Sequence, residues 1–307
     1  MLKMMMENVR TMTPLVHNIT NYVTVNDCAN ILLACGSSPI MSDDISEAEE
    51  IVTVCNSLVI NIGTLNKRIL KTMLSAGRKA NQLGRPIVFD PVGIGASSLR
   101  MSSARLLLKE LNFSVIRGNI SEIKMVYRTV QEMLKQTSIQ TKIVNDIRID
   151  ERRAEDWKKA EATENRGVDA SVGDCVTEAT IDSTVSFAML LSRMTKAVIV
   201  ITGAIDIVAD AESAYIVRNG HPMMSKITGC GCMLTAVLGA YIAANPMRLT
   251  CACTAAVCAM GLCGELAHDK VKDTGEGTGS FRTYLIDNMS QLDGDRLEQG
   301  AKLYKLY

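Results

Sequence analysis

Residues 228–241 read TGCGCMLTAVLGAY, two thiols set among glycines just ahead of an apolar, helix-like run. Gly229 and Gly231 can adopt backbone angles closed to other residues and let a ligand approach the main chain. The run that follows is built of helix formers, so the unpaired N–H groups of its first turn face residues 229–232. Together with the helix dipole they make a site for a phosphate or a developing oxyanion. A free thiol, with a pKa of ~8.5, is mostly protonated at neutral pH, and a helix N-terminus lowers that value. Cys232 at this junction is therefore the candidate to take a proton from a substrate hydroxyl, or to orient it. Two other readings stand beside this one. Small residues also suit a tight strand-to-helix turn with no ligand. Cys230/Cys232 and Cys251/Cys253 are C-x-C pairs that offer four thiolates to zinc, although structural zinc prefers C-x₂₋₄-C on a turn and residues 251–253 look helical.

Other motifs bear on the choice. FDPVGIGAS ends an apolar run at Asp90, and IRGNISEI places Arg117 just before Asn119 and Glu122 in an N-x-x-E arrangement. Two carboxylates at strand ends suit Mg²⁺, with water and phosphate oxygens completing its octahedron. Arg117 suits a phosphate clamp. N-x-x-E alone carries little information; its weight comes from standing beside Arg117, after Asp90 and ahead of the glycine-rich helix start. Metal, cationic clamp, anion cradle and hydroxyl activator are the parts that phosphoryl transfer needs.

These residues need a scaffold. Short β-branched runs recur at 57–63, 85–93, 113–119 and 197–204, each ending near Gly, Asn, Asp or Thr, with helix-like segments at 66–83 and 102–111. Continuous apolar runs fit strands buried on both faces, and the alternation predicts an α/β domain with a mostly parallel central sheet. Ligands of such sheets lie beyond the carboxyl ends of the strands, which marks Gly63, Asp90, Arg117, Asn119 and Thr202. A chain of 307 residues with 47% hydrophobic and 21% charged residues is expected to fold as one domain, 1–307. A charged surface insertion is expected at about 127–165 around Trp157, the only tryptophan.

Formal net charge is zero and aromatic residues make up 4%, so neither nucleic acid nor an anionic membrane is expected as a partner. The ten cysteines lie in Ala/Gly-rich surroundings and read as small buried hydrophobes of a reducing compartment. The run at 249–267 approaches membrane-span length, yet Ala, Cys, Thr and Gly make it a buried helix. A cytoplasmic protein is expected. His17 and His268 read as structural or surface residues.

PLVHNITNYVTVNDCANILLACGSSPIMSDD, LVINIGTL, FDPVGIGAS, IRGNISEI, VITGAIDIV, TGCGCMLTAVLGAY and GTGSFRTYLIDNM resemble the hydroxyethylthiazole kinases of thiamine salvage, within the ribokinase-like superfamily. The resemblance covers nearly all of the chain outside roughly 127–165. It implies a mostly parallel sheet flanked by helices on both faces, and ATP-dependent phosphorylation of 4-methyl-5-(2-hydroxyethyl)thiazole. It also implies a homotrimer with active sites between subunits. The substrate contacts carried over are Met41 and Gly229, with Gly63 and Asn21 as further pocket residues. ATP contacts fall on Arg117 and Thr202, the metal and phosphate end on Asp90 and Glu122, and the catalytic position on Cys232. The position of Cys230 is more often Thr or Ser in the family.

For the shared pocket, the expectation is Asn21 from one chain meeting Met41, Gly229 and Cys232 of its neighbour, or the reverse. Three alternatives are weighed. A kinase of hydroxymethylpyrimidine or pyridoxal would share the glycine-rich helix start without the PLVHNITNYVTVNDCAN stretch. A binding protein that has lost catalysis would keep the pocket. A zinc-thiolate protein would use the C-x-C pairs.

Overall fold

In a computed structural model, the described residues, 1–136 and 176–306, build a nine-stranded sheet in the order β2-β1-β3-β4-β5-β6-β7-β8-β9. The first six strands are β1 (Leu15–Ile19), β2 (Ser38–Ile40), β3 (Ser57–Asn61), β4 (Ile87–Asp90), β5 (Val115–Asn119) and β6 (Val198–Thr202). They pair parallel, as the apolar runs predict. The last three, β7 (Asp206–Ala209), β8 (Ala214–Val217) and β9 (Leu303–Lys305), add on antiparallel.

Eleven α-helices cover the two faces among the described residues: α1 (Leu2–Met12), α2 (Val25–Cys35), α3 (Ala48–Val54), α4 (Lys67–Gln82), α5 (Ser98–Glu110), α6 (Ile120–Gln136), α7 (Ile181–Thr195), α8 (Cys230–Ala244), α9 (Leu249–Thr274), α10 (Thr278–Gln291) and α11 (Gly294–Gly300).

The strands divide their side chains by size. Val59, Val88, Val115 and Val200 face one core with α1, α2, α8, α9 and α10, whereas Leu58, Ile60, Phe89, Ile116, Ile199 and Ile201 face the other with α4 to α7. The valine face receives helices rich in Ala, Gly and Cys, which approach the sheet closely. A Cβ on Gly239 of α8 would stand only 2.7 Å from Val59 Cγ2. This packing explains the cysteines: all nine among the described residues are free, and Cys253, Cys258 and Cys263 are fully buried along α9. By length and composition α9 is long and apolar enough to cross a membrane, yet 78% of its most apolar window is buried in the protein. Cys251 and Cys253 diverge on that helix, and no group of three or more His, Cys, Asp or Glu able to hold a metal ion occurs among the described residues.

Two boundaries differ from expectation. Helix α5 begins at Ser98, not 102, because the Ser97 hydroxyl accepts the N–H of Arg100 at 3.3 Å and caps it. The expected insertion at 127–165 overlaps α6 as far as residue 136, with Tyr127 buried in the core. Its remainder, with Trp157, lies outside the described residues.

Candidate functional site

Strand ends and one helix start meet at a single place. Asn61 ends β3, Asp90 ends β4, Arg117 and Asn119 close β5, Thr202 ends β6, and Gly229 caps α8 with φ 85°. A Cβ on Gly229 would lie 2.5 Å from Thr24 Cγ2, so only glycine fits this left-handed position against α2. The first intrahelical bond of α8 runs from Met233 N to Gly229 O at 2.8 Å. The N–H groups of Cys230, Gly231 and Cys232 therefore stand ahead of the ladder, where they suit an anion.

At one end of this site the Cys232 sulfur accepts hydrogen bonds from Asn21 Nδ2 at 3.1 Å and Asn61 Nδ2 at 3.3 Å. Both asparagines belong to the same chain as the thiol. The expected pairing of Asn21 and Cys232 across a subunit boundary is thereby corrected: the loop after β1 lies directly over the start of α8. Gly63 completes this corner. Its N–H donates to Asn61 Oδ1 at 2.8 Å, and a Cβ there would stand 3.0 Å from Asn21 Cβ. Met41 follows β2 and, like Cys230 and Cys232, packs half-buried against the valine-faced core, with no bond to the network.

The other end is ionic. Asp90 is fully buried, and its Oδ2 accepts Thr235 Oγ1 at 2.7 Å and Asn61 Nδ2 at 2.8 Å. Arg117 Nη1 lies 3.7 Å from the same oxygen, and Arg117 Nη2 donates to Thr202 Oγ1 at 2.5 Å. Asp90 Oδ1 and Arg117 Nε are buried with no hydrogen-bond partner among the described residues. An orphaned acid oxygen and an orphaned guanidinium N–H suit a ligand that brings both a cation and anionic oxygens.

Glu122 sits beside them in the first turn of α6, with Oε1 accepting Gly93 N at 2.8 Å and Oε2 accepting Asn119 N at 2.9 Å. Burial, then the charge of Asp90, pushes the Glu122 carboxyl up to about 7, against those two N–H bonds. Burial likewise raises Asp90, with Arg117 opposing. Two carboxylates that penalise each other in a dry site favour a positive charge between them.

The thiols depart from expectation. A helix N-terminus contributes roughly 0.3–1 kcal/mol at an ordinary site, and desolvation outweighs it here. Burial, followed by the charge of Asp90, lifts Cys232 above its usual range, although hydrogen bonds from Thr24 and Asn21 and the Arg117 charge oppose the rise. Cys232 therefore rests as a thiol, where the sequence predicted a lowered pKa. Cys230 is pushed up to about 12 by burial and makes no bond to the asparagines.

Every residue expected at the site, Met41 apart, joins this connected network or packs against it. The sequence reading missed Asn61, Thr235 and Arg100. Asn61 stands in the quoted NIGTL, two residues from the chosen Gly63, and a polar residue ending a buried run was its available signal. Arg100 Nη1 donates to Ile62 O and Val92 O, each at 2.7 Å, and its Nη2 to Gly63 O at 2.6 Å, which ties the loops after β3 and β4 together. No sequence pattern announces that clamp.

Comparison with known proteins gives consistent matches. The sequence model of the hydroxyethylthiazole kinase family matches residues 6–157 and 156–295. A hydroxyethylthiazole kinase of Clostridium acetobutylicum is 51% identical over 307 residues, spanning 100% of both chains. The solved structure of a hydroxyethylthiazole kinase protein from Pyrococcus horikoshii superposes with a TM-score of 0.78 at 29% identity, covering 100% of this chain and 99% of that one. A ribokinase-like superfamily protein from Enterococcus faecalis reaches a TM-score of 0.54 at 12% identity, covering 94% and 89%, a likeness of fold alone. The fold is ribokinase-like.

Proposed function

The chain belongs to the hydroxyethylthiazole kinase family, and from that footing we propose that it transfers the γ-phosphoryl group of ATP to the hydroxyl of 4-methyl-5-(2-hydroxyethyl)thiazole. The observation that carries the proposal is the connected line Cys232–Asn61–Asp90–Arg117–Thr202, with the N–H groups of α8 opening beside it.

Arg117 and the first turn of α8 would bind the ATP phosphates, with Thr202 fixing the guanidinium. Met41, a soft thioether, suits a wall for a flat thiazole ring, and Asn21, Gly63 and Gly229 shape the pocket around the acceptor hydroxyl. Asp90 and Glu122 fit Mg²⁺. Asp90 Oδ1 has no partner among the described residues, and each Glu122 oxygen accepts one backbone N–H, which leaves a lone pair for a hard cation. Bound there, Mg²⁺ would supply positive charge against the phosphate oxygens.

Cys232 holds its proton at rest, so it acts first by orienting the acceptor hydroxyl. In a loose transition state the hydroxyl keeps its own proton until the new P–O bond is well advanced, so a preformed thiolate is not required.

We place the enzyme in the cytoplasm and infer a homotrimer. Tyr22 and Val23 are 72% and 59% exposed immediately after Asn21. Such side chains beside a site favour cover by a second copy.

The deciding experiment measures ADP release across a panel of thiazole, pyrimidine and pyridine alcohols, with Mg²⁺ and with chelator. The thiazole alcohol should give the highest kcat/KM, and chelation should abolish it. Cys232→Ala should lower kcat with little change in the KM for ATP. Preference for a hydroxymethylpyrimidine or for pyridoxal would move the substrate class, and no alcohol-dependent ADP release would end the kinase reading.

A further inference from the structure

We propose that Asn61 is a positioning residue for phosphoryl transfer, its carboxamide fixing the Cys232 sulfur at the acceptor end against the Asp90 carboxylate at the metal end. The inference rests on the kinase reading above and deepens it.

Asn61 is 2% exposed at the last position of β3. Its Nδ2 lies 2.8 Å from Asp90 Oδ2 and 3.3 Å from Cys232 Sγ. A carboxamide nitrogen carries two hydrogens, so both bonds are made at once. Its Oδ1 accepts Gly63 N at 2.8 Å and Asn21 Nδ2 at 3.3 Å. These partners settle the orientation of the amide. A flipped Asn61 would set oxygen against the Asp90 carboxylate and NH₂ against the Gly63 N–H.

Asn21 is fixed by the same logic. Its Oδ1 accepts Thr24 N at 3.2 Å and Thr24 Oγ1 at 3.0 Å, which leaves Nδ2 for Cys232 and Asn61. Thr235, one turn along α8 from Gly231, donates to Asp90 Oδ2, while Oδ1 is buried with no partner among the described residues. Among the described residues of this network, Asn61 alone donates to both Cys232 and Asp90. In the kinase reading these two groups act at opposite ends of one transferred group. In-line transfer loses on the order of 100-fold in rate for a displacement of about 1 Å. A bridge that sets their separation therefore governs kcat without itself touching substrate.

A merely structural Asn61 would lower stability and add its effect on rate independently of Cys232. A bridging Asn61 acts through Cys232, so the two effects overlap. The test is a double-mutant cycle on kcat with Asn61→Leu, which keeps the number and branching of heavy atoms and introduces no charge, and Cys232→Ala. Asn61→Leu should lower kcat by roughly 30-fold or more in the native background and by less than about three-fold in the Cys232→Ala background, with the KM for ATP within about two-fold. Equal losses in both backgrounds overturn the bridge. If Asn61→Leu does not fold by circular dichroism, Asn61→Ser enters the same cycle.

A second readout needs no catalysis. Iodoacetamide labelling of Cys232, followed by peptide mass spectrometry, should slow at least about five-fold in the Asn61 variant, because a donor that favours the thiolate is gone. Labelling of Cys230 should not change. An unaltered Cys232 rate overturns the bridge. An unmutated chain that phosphorylates no thiazole alcohol overturns only the kinase reading, and the labelling result then stands alone.

Discussion

Glu122 and Asn119 cap one another. Asn119 Oδ1 accepts the N–H of Glu122 at 2.9 Å, while Glu122 Oε2 accepts the N–H of Asn119 at 2.9 Å. The N-x-x-E arrangement is thus a capping box for α6 as well as half of a carboxylate pair. The cap accounts for the fold of this turn, and the second carboxylate oxygen faces Gly93 in the loop after β4.

The two roles separate by substitution. Glu122→Gln keeps the acceptor for Asn119 N and the size of the side chain, but removes the charge and the acceptor for Gly93 N. It should cost about 1–2 kcal/mol of stability while lowering kcat at least ten-fold and weakening dependence on Mg²⁺. Glu122→Ala should lose the same activity and a further 1–2 kcal/mol of stability, the usual cost of a missing cap. Activity and stability are read side by side, by ADP release and urea unfolding. If Glu122→Gln retains full activity, Glu122 is a cap and nothing more.

This pair also shows where sequence reading stops. Asp90, Arg117 and Thr202 were legible because each ends an apolar run, and strand ends in a parallel sheet converge whatever the intervening helices do. Cys232 was legible because glycines ahead of a helix make a local pattern. Asn61 and Arg100 act through partners distant in sequence, and such contacts leave no local pattern. The raised pKa of Cys232 was illegible for a related reason: it comes from burial and the charge of Asp90, which depend on segments distant in sequence. Strands β7 and β8 follow β6 with no helix between them, so the strand–helix alternation that marked β3 to β6 does not mark them. The pairing of Asn21 with Cys232 across subunits was expected from resemblance, and the contact instead lies within one chain.

His17 supports the loop that carries Met41. On β1, fully buried, its Nε2 lies 2.9 Å from Ser42 O, next in sequence to Met41. Only an Nε2–H tautomer donates to that carbonyl, and Nδ1 then has no partner among the described residues. Burial lowers the pKa of this imidazole against the Ser42 bond and the Glu47 charge. The sign follows directly. Above an unfolded value of about 6.5 both states are neutral, and the stability is fully present. Below it the unfolded chain takes a proton that the folded chain resists, so stability falls with pH by at most about 1.4 kcal/mol per unit until the lowered folded value is reached. Urea midpoints at pH 7.5, 6.0 and 5.5 should show this loss in the native chain and a smaller one in His17→Gln. Identical pH slopes for the two proteins would falsify the assignment.

Gly231 offers the sharpest separation of packing from function on α8. A Cβ at this position would stand 2.6 Å from Arg117 Nη1 and 2.9 Å from Nη2, closer than real contacts allow. The neighbour is the far end of a flexible side chain, so the guanidinium swings away at little cost to the fold. Replacing glycine by alanine within a helix otherwise stabilises by about 1 kcal/mol, which offsets much of that cost. The swing, however, removes Arg117 from Thr202 Oγ1 at 2.5 Å and from Asp90 Oδ2 at 3.7 Å, and so from the phosphate end of the site. Gly231→Ala should therefore leave the melting temperature within a few degrees and raise the KM for ATP about ten-fold, with the KM for the thiazole alcohol nearly unchanged. Gly239→Ala, two turns further along the same helix, is the matching control. Its Cβ would meet Val59 Cγ2 at 2.7 Å and Val16 Cγ1 at 3.1 Å, stiff β-branched side chains in the core. That variant should lose about 1–3 kcal/mol of stability and keep both KM values. If Gly231→Ala behaves like Gly239→Ala, losing stability with an unchanged KM for ATP, then Arg117 does not bind the nucleotide and the ionic end of the site has another purpose.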